Sequence, residues 1–125
     1  MINKVGKITI YVNDQEQAKD FWINKMNFAL KFEQQMGPNA AWIEVVPSKD
    51  EFTTLVLYSK SMMEKQRPEK VAHPNLLFST TDIESAHQSM QANGVEVEPI
   101  NKMPFGTMFT FKDQDGNEYI LREDK

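Results

Sequence analysis

The stretch whose residue types and spacing most directly suggest chemistry is Asp113-Gln114-Asp115-Gly116-Asn117. Two carboxylates one residue apart, followed by Gly and an amide, can wrap a calcium ion, which takes roughly six to eight oxygen ligands. The same residues also make an ordinary tight turn, with Asp and Asn bonding nearby backbone and Gly supplying a left-handed position. Other reactive groups are scarce. There is no Cys, which excludes disulfides, thiolate nucleophiles and Cys-ligated metals. The two histidines stand apart, His73 just before Pro74 and His87 within a helical pattern, where a surface or boundary place is the ordinary one.

The elements that must position these groups come in two copies. Residues 8–14 are a β-rich run ending in Asp14, followed by the amphipathic stretch 15–22 and a break at Asn27-Phe28. Residues 76–82 repeat the plan, ending in Asp82, with the stretch 83–90 and a break at Gly94-Val95. In both copies an Ala, Ala18 or Ala86, falls four residues after the Asp. Self-similarity over this length is the signature of a duplicated structural unit. Asp14 and Asp82 are good helix N-caps, with Gln17 and Ser85 three residues on. Ala18, Phe21, Trp22 and Met26 form the expected buried stripe of the first helix, and Asn27 suits a left-handed helix stop. Further strands are expected at 30–35, 40–46 and 52–59 in the first copy. In the second they are expected at 75–80, 95–99, 107–112 and 118–123. Each half then reads β-α-β-β-β. The division is a first module over residues 1–60, a polar connector over 61–72 and a second module over 73–125.

Composition sets outer bounds. The chain has 125 residues, 40% of them hydrophobic, enough for one domain with an ordinary core. A net charge of −4 with scattered Lys and Arg argues against nucleic-acid binding, which needs a basic stripe. No apolar run approaches the ~20 residues of a membrane span, and the N-terminus lacks the apolar stretch of a signal peptide. A cytoplasmic protein with no membrane partner is the expectation.

Residues 8–28 resemble the opening of a module in the vicinal oxygen chelate superfamily, which includes glyoxalase I, extradiol dioxygenases and the bleomycin- and fosfomycin-resistance proteins. Pro104-Phe105-Gly106, followed by Phe111-Lys112-Asp113-Gln114-Asp115-Gly116-Asn117, is similar to that family's closing hairpin, usually F-x-D-P-D-G-N. Gln114 stands where Pro is common. The resemblance covers nearly the whole chain and implies an α+β fold in which two tandem β-α-β-β-β modules form a curved mixed sheet with a concave cup. It also implies a homodimer, with the modules pairing within one chain or between chains.

In metal-using members of that family, ligands come from the first and last strands of each module. The matching positions here are Lys7, Asn75, Val56 and Ile120. None is a His or carboxylate, and Val and Ile cannot ligate at all. No cofactor and no divalent metal are expected. Alternation along the strands then names the residues sharing that face. They are Lys7, Thr9 and Tyr11; Trp42 and Glu44; Thr54, Val56 and Tyr58; Asn75, Leu77 and Ser79; Met108 and Thr110; Ile120 and Arg122.

This mixture of aromatic, aliphatic and a few polar groups suits a small molecule. The expected ligand-binding set is Lys7, Thr9, Tyr11, Trp42, Glu44, Tyr58, Asn75, Met108 and Arg122. Lys7 and Arg122 outnumber Glu44, which favours an aromatic or anionic ligand. The rings could equally pack the sheet or a dimer interface, and Glu44 with Arg122 could form an ion pair across the cup. Met103, Pro104 and Phe105 could be a lip over the cup or satellite core. The alternative is a lyase, isomerase or dioxygenase of glyoxalase type. Its catalytic candidates are Glu44, Tyr11, Tyr58 and Lys7, with burial raising the Glu44 pKa toward that of a useful base.

Overall fold

Asp14 and Asp82 open the two helices of the repeat. The Asp14 carboxylate accepts the N–H groups of Glu16 and Gln17 at 2.9 and 3.1 Å, and that of Asp82 accepts Ser85 N–H at 3.1 Å. The computed structural model describes residues 1–124. They divide into two units, Met1–Pro74 and a second beginning at Asn75.

The first unit runs β1 (Lys7–Val12), α1 (Gln15–Asp20) continued by a π-helical turn (Phe21–Lys25), β2 (Ala29–Gln35), β3 (Ala41–Val46), β4 (Thr54–Ser59) and α2 (Lys60–Gln66). Its sheet has the order β1-β4-β3-β2, with β1 parallel to β4 and the other pairs antiparallel. Ile10, Val12, Ile43, Val45, Leu55 and Leu57 form its buried inner layer, with Ala18, Phe21 and Trp22 from the helix. Each of the larger of these side chains contributes about 1.5–3 kcal/mol by leaving water. The wider turn, closed by Met26 N–H to the Phe21 carbonyl at 3.0 Å, lets the adjacent Phe21 and Trp22 both bury. Asn27, at φ 60°, then reverses the chain, as its type predicts. The polar segment after β4 becomes α2, with no buried residue.

The second unit runs β5 (Leu77–Thr80), α3 (Ile83–Ala92), β6 (Glu96–Val97), β7 (Asn101–Met103), β8 (Gly106–Lys112) and β9 (Glu118–Glu123). The order is β5-β9-β8-β6, with β7 also paired to β8. Ile83, Met90, Val95, Phe109, Phe111, Tyr119 and Leu121 form its core.

Three expectations need correction here. The strand expected at 95–99 is broken: after Glu98 N–H reaches the Thr110 carbonyl at 2.8 Å, Pro99 has no N–H with which to continue the ladder, and pairing resumes at β7. Strand β5 begins at Leu77, opposite Ile120, so Asn75 lies before the strand and is exposed. Met103 and Phe105 are exposed rather than satellite core, Phe105 at 65%. Phe78 is half-buried, stacked at 6.1 Å on Phe111.

The closing turn is resolved as structure, not as a calcium loop. Asp113 Oδ1 accepts the N–H groups of Asp115 and Asn117 at 2.9 and 3.0 Å. Its Oδ2 accepts the Asn117 amide at 3.1 Å and the Tyr119 hydroxyl at 2.6 Å. Four donors leave this buried carboxylate no free direction for a cation. Burial, helped by the Asp113 bond, pushes the Tyr119 phenol far above its ordinary range, so it stays a donor.

Candidate functional site

Register fixes which side chains of the first unit share the face turned away from α1. Lys7 is opposite Thr54, Thr9 opposite Val56, and Tyr11 opposite Tyr58. Val56 is opposite Glu44, and Glu44 opposite Phe32. Paired residues point to the same side of a sheet, so Lys7, Thr9, Tyr11, Glu44, Thr54, Val56 and Tyr58 lie together. Trp42 joins them by alternation with Glu44.

At the centre is Glu44, 6% exposed. Its Oε1 accepts the Lys7 ammonium at 2.7 Å and the Thr54 hydroxyl at 3.0 Å. Its Oε2 accepts the Trp42 indole N–H at 2.7 Å. Burial alone would raise the pKa of this carboxyl. The bonds from Lys7, Trp42 and Thr54 outweigh it, and the net direction is downward. Glu44 spends its charge on Lys7, and within the second unit Arg122 donates to the Phe105 carbonyl at 2.6 Å. The downward direction runs against the burial effect that would suit Glu44 as a base near neutral pH.

Around Glu44 stand three half-buried rings. Tyr58 meets Tyr11 edge-on at 6.2 Å and Trp42 edge-on at 6.1 Å. Such geometry is favourable for aromatic pairs and leaves ring faces available. The Glu44 bond holds the indole of Trp42 in one orientation.

In the second unit, Met108 is opposite Arg122, and Ile120 opposite both Thr110 and Leu77. A groove of about 470 Å³ runs beside them, lined by Glu98, Pro99, Ile100, Asn101, Met108, Phe109, Thr110 and Ile120. Gly106 lies against Arg122, where a Cβ would come within 2.7 Å of Nε, so the missing side chain admits the guanidinium. Of the nine expected binding residues, six thus lie together in the first unit, Met108 and Arg122 are neighbours in the second, and Asn75 is off the strand.

The donors do not suit the metal that the resemblance implies. Lys7 is a protonated partner of Glu44, Val56 and Ile120 are hydrocarbon, and Asn75 offers one neutral amide. Among the described residues no group of three or more His, Cys, Asp or Glu could hold a metal ion. His87 instead donates through Nε2 to the Glu98 carbonyl at 2.9 Å and meets Phe109 edge-on.

Two polar and apolar features escaped sequence reasoning. Gln15, at the start of α1, donates to the Ala41 and Leu57 carbonyls at 2.7 and 2.8 Å and accepts Ala41 N–H at 3.0 Å, tying β3 to β4. Phe32 shares the face of Glu44 and is 46% exposed. A register shift between Leu30 and Phe32 breaks the alternation that would have placed it.

Comparison with known proteins agrees with this architecture. A family model for the Glyoxalase/Bleomycin resistance protein/Dioxygenase superfamily matches residues 4–121. The chain belongs to that superfamily. It is 42% identical over 125 residues to the uncharacterized protein YetH of Bacillus subtilis (strain 168), covering 98% of this chain and 100% of that one. Its fold is similar to that of TnmS3, an antibiotic binding protein from Streptomyces sp. CB03234, at 30% identity and a TM-score of 0.82, covering 99% of this chain and 98% of the other. A superfamily member from Sphaerobacter thermophilus DSM 20745 matches at 32% identity and a TM-score of 0.83, covering 98% of each chain. No helix among the described residues is long and apolar enough to cross a membrane.

Proposed function

We propose that this protein binds a small planar aromatic molecule on the face formed by Tyr11, Tyr58 and Trp42, without a metal ion. The observation that carries this reading is the Glu44 network. It fixes the Trp42 indole by its N–H while leaving the ring half-exposed beside two tyrosines. A pre-oriented ring costs less ordering entropy when a ligand stacks on it. The likeness to a protein described as antibiotic binding supports binding over turnover.

An anionic ligand is less favoured on this face than the sequence suggests. Lys7 delivers its charge to Glu44, so the pair together presents no net positive charge. The lowered Glu44 pKa also removes the best candidate base for a glyoxalase-type reaction near neutral pH.

Titration with 2-naphthol, followed by isothermal titration calorimetry, tests the proposal. Saturable binding whose affinity Trp42→Ala weakens roughly tenfold, and Trp42→Phe largely preserves, is the expected result. Equal affinity in wild type and Trp42→Ala, or preference for cyclohexanol over naphthol, would refute stacking.

A further inference from the structure

Strands β1 and β4 are the parallel pair of the first unit, and Val12, at the end of β1, is opposite Ser59, at the end of β4. Just beyond these ends lies a groove of about 490 Å³, a volume in the range of small-molecule sites. The crevice outside the carboxyl ends of parallel strands is a recurrent place for ligands. This groove is not the ring face. Ala41 and Ile43 line it, and they alternate along β3 with Trp42 and Glu44. Gln35, also in its lining, is opposite Ala41 and so faces the same way. Gln15 spends its whole amide on the Ala41 and Leu57 carbonyls and the Ala41 N–H, so it fixes the wall rather than serving a ligand.

The groove holds unspent hydrogen-bonding capacity of both kinds. Asp14 uses Oδ1 for its two cap bonds, which leaves Oδ2 as an acceptor. Gln35 donates through Nε2 to the Gly37 carbonyl at 2.7 Å, which leaves its Oε1. Asn39 is exposed, and among the described residues its side-chain amide bonds no other group. Ser59 and Ser61 share one hydrogen bond at 3.1 Å, which consumes one of their two hydroxyl protons whichever donates, so the other can serve a ligand. Asp14 and Glu16 are the charged residues of the lining, and no Lys or Arg joins them, so an anion is repelled. Glu16 is paired with Lys19 at 3.4 Å, and Asp14 gives one oxygen to helix N–H groups, which leaves little charge to hold a cation. A hydroxyl both donates and accepts, and so matches acceptors and donors set side by side. Pro38 and Ile43 add apolar surface, which the C–H face of a saturated ring can cover.

We infer that this groove binds an uncharged polyhydroxylated molecule, a sugar or cyclitol. Asp14 and Gln35 accept from its hydroxyls, and Asn39 and the free serine proton donate to them. The site lies on the other side of the sheet from the ring face and is independent of what that face binds. Most of its polar groups are exposed, so each contact competes with water and the affinity is in the millimolar range.

NMR titration of isotope-labelled protein with glucose, maltose and myo-inositol, up to about 50 mM, tests the inference at the side-chain amide signals. At least one of these probes should shift the Asn39 and Gln35 amides saturably, with a Kd of about 1–10 mM. Glucuronate, the same kind of ring with a carboxylate, and spermidine, a cation without hydroxyls, should leave those signals in place. Asn39→Ala and Asp14→Asn should each weaken sugar binding about fivefold, read at Gln35. Neither change threatens the fold: Asn39 is exposed between β2 and β3, and Asn caps a helix about as well as Asp. Trp42→Ala should bind the sugar as the wild type does, which separates this site from the ring face. No saturable shift with any of the three uncharged probes, tighter binding of spermidine, unchanged affinity in both variants, or loss of sugar binding in Trp42→Ala would overturn the inference.

Discussion

Replacing Glu44 by Gln isolates the charge at the centre of the ring face. The amide keeps the size and one acceptor oxygen, but it can no longer serve Lys7, Thr54 and Trp42 together. Of these donors the Thr54 hydroxyl is buried and Trp42 half-buried, while the Lys7 side chain is 50% exposed. The Lys7 pair is therefore discounted for solvent screening and contributes well under about 1 kcal/mol. Loss of a charged acceptor for the other two donors costs about 2 kcal/mol in total. For a chain of this length that lowers Tm by roughly 6–12 °C.

The pH dependence carries the decisive sign. The folded-state pKa of Glu44 lies below its ordinary value of 4.5, so in that window the unfolded chain binds more protons. The stabilisation is fully present above the unfolded value and is lost as pH falls through the folded one. Urea unfolding of both proteins from pH 7.5 down to about 3 should show a gap near 2 kcal/mol that closes on the acid side. A gap that stays constant with pH, or Glu44→Gln proving the more stable protein at neutral pH, would refute the reasoning. The second outcome would mean that desolvation of the carboxylate exceeds what its three donors return.

Other predictions follow from the same geometry. Asp113→Ala leaves the buried Tyr119 hydroxyl and three further donors without their acceptor, and should cost about 3 kcal/mol by chemical denaturation. Gln15→Leu removes three bonds to the backbone of β3 and β4 and should cost about 2–3 kcal/mol while sparing the second unit, as hydrogen exchange would show. Gln114→Pro should raise stability by about 0.4–1 kcal/mol: the side-chain amide is buried without a hydrogen-bond partner, and Pro suits the second position of the turn. Elemental analysis of the purified protein should find no stoichiometric Ni, Zn, Mn or Fe. A one-to-one metal content surviving dialysis would sink the metal-free reading.

Local chemistry made much of the fold legible. Asp14 and Asp82 cap helices through neighbours two or three residues away, and Asn27 turns the chain by its own backbone tolerance. The Asp113 turn closes within seven residues, so its residue types nearly suffice to specify it, though the choice between turn and calcium loop needed the donors counted. Where the local pattern failed, a nonlocal or backbone constraint intervened. Pro99 interrupted a strand that looked continuous, and the shift beside Leu30 moved Phe32 out of step with simple alternation.

The sequence by itself determined the duplicated β-α plan and the superfamily. It also named six residues that come to share one face. Only the tertiary structure decided how their charges and hydrogen bonds are spent. Glu44 finds Lys7 from 37 residues away, and Gln15 finds the Leu57 carbonyl from 42 away. Such pairings depend on strand order and register, which bring distant residues within 3 Å of one another, and no local pattern encodes them. Thus Glu44 and Arg122, which the sequence left free to pair, are each satisfied elsewhere, and what the ring face offers a ligand is held by partners that composition could not identify.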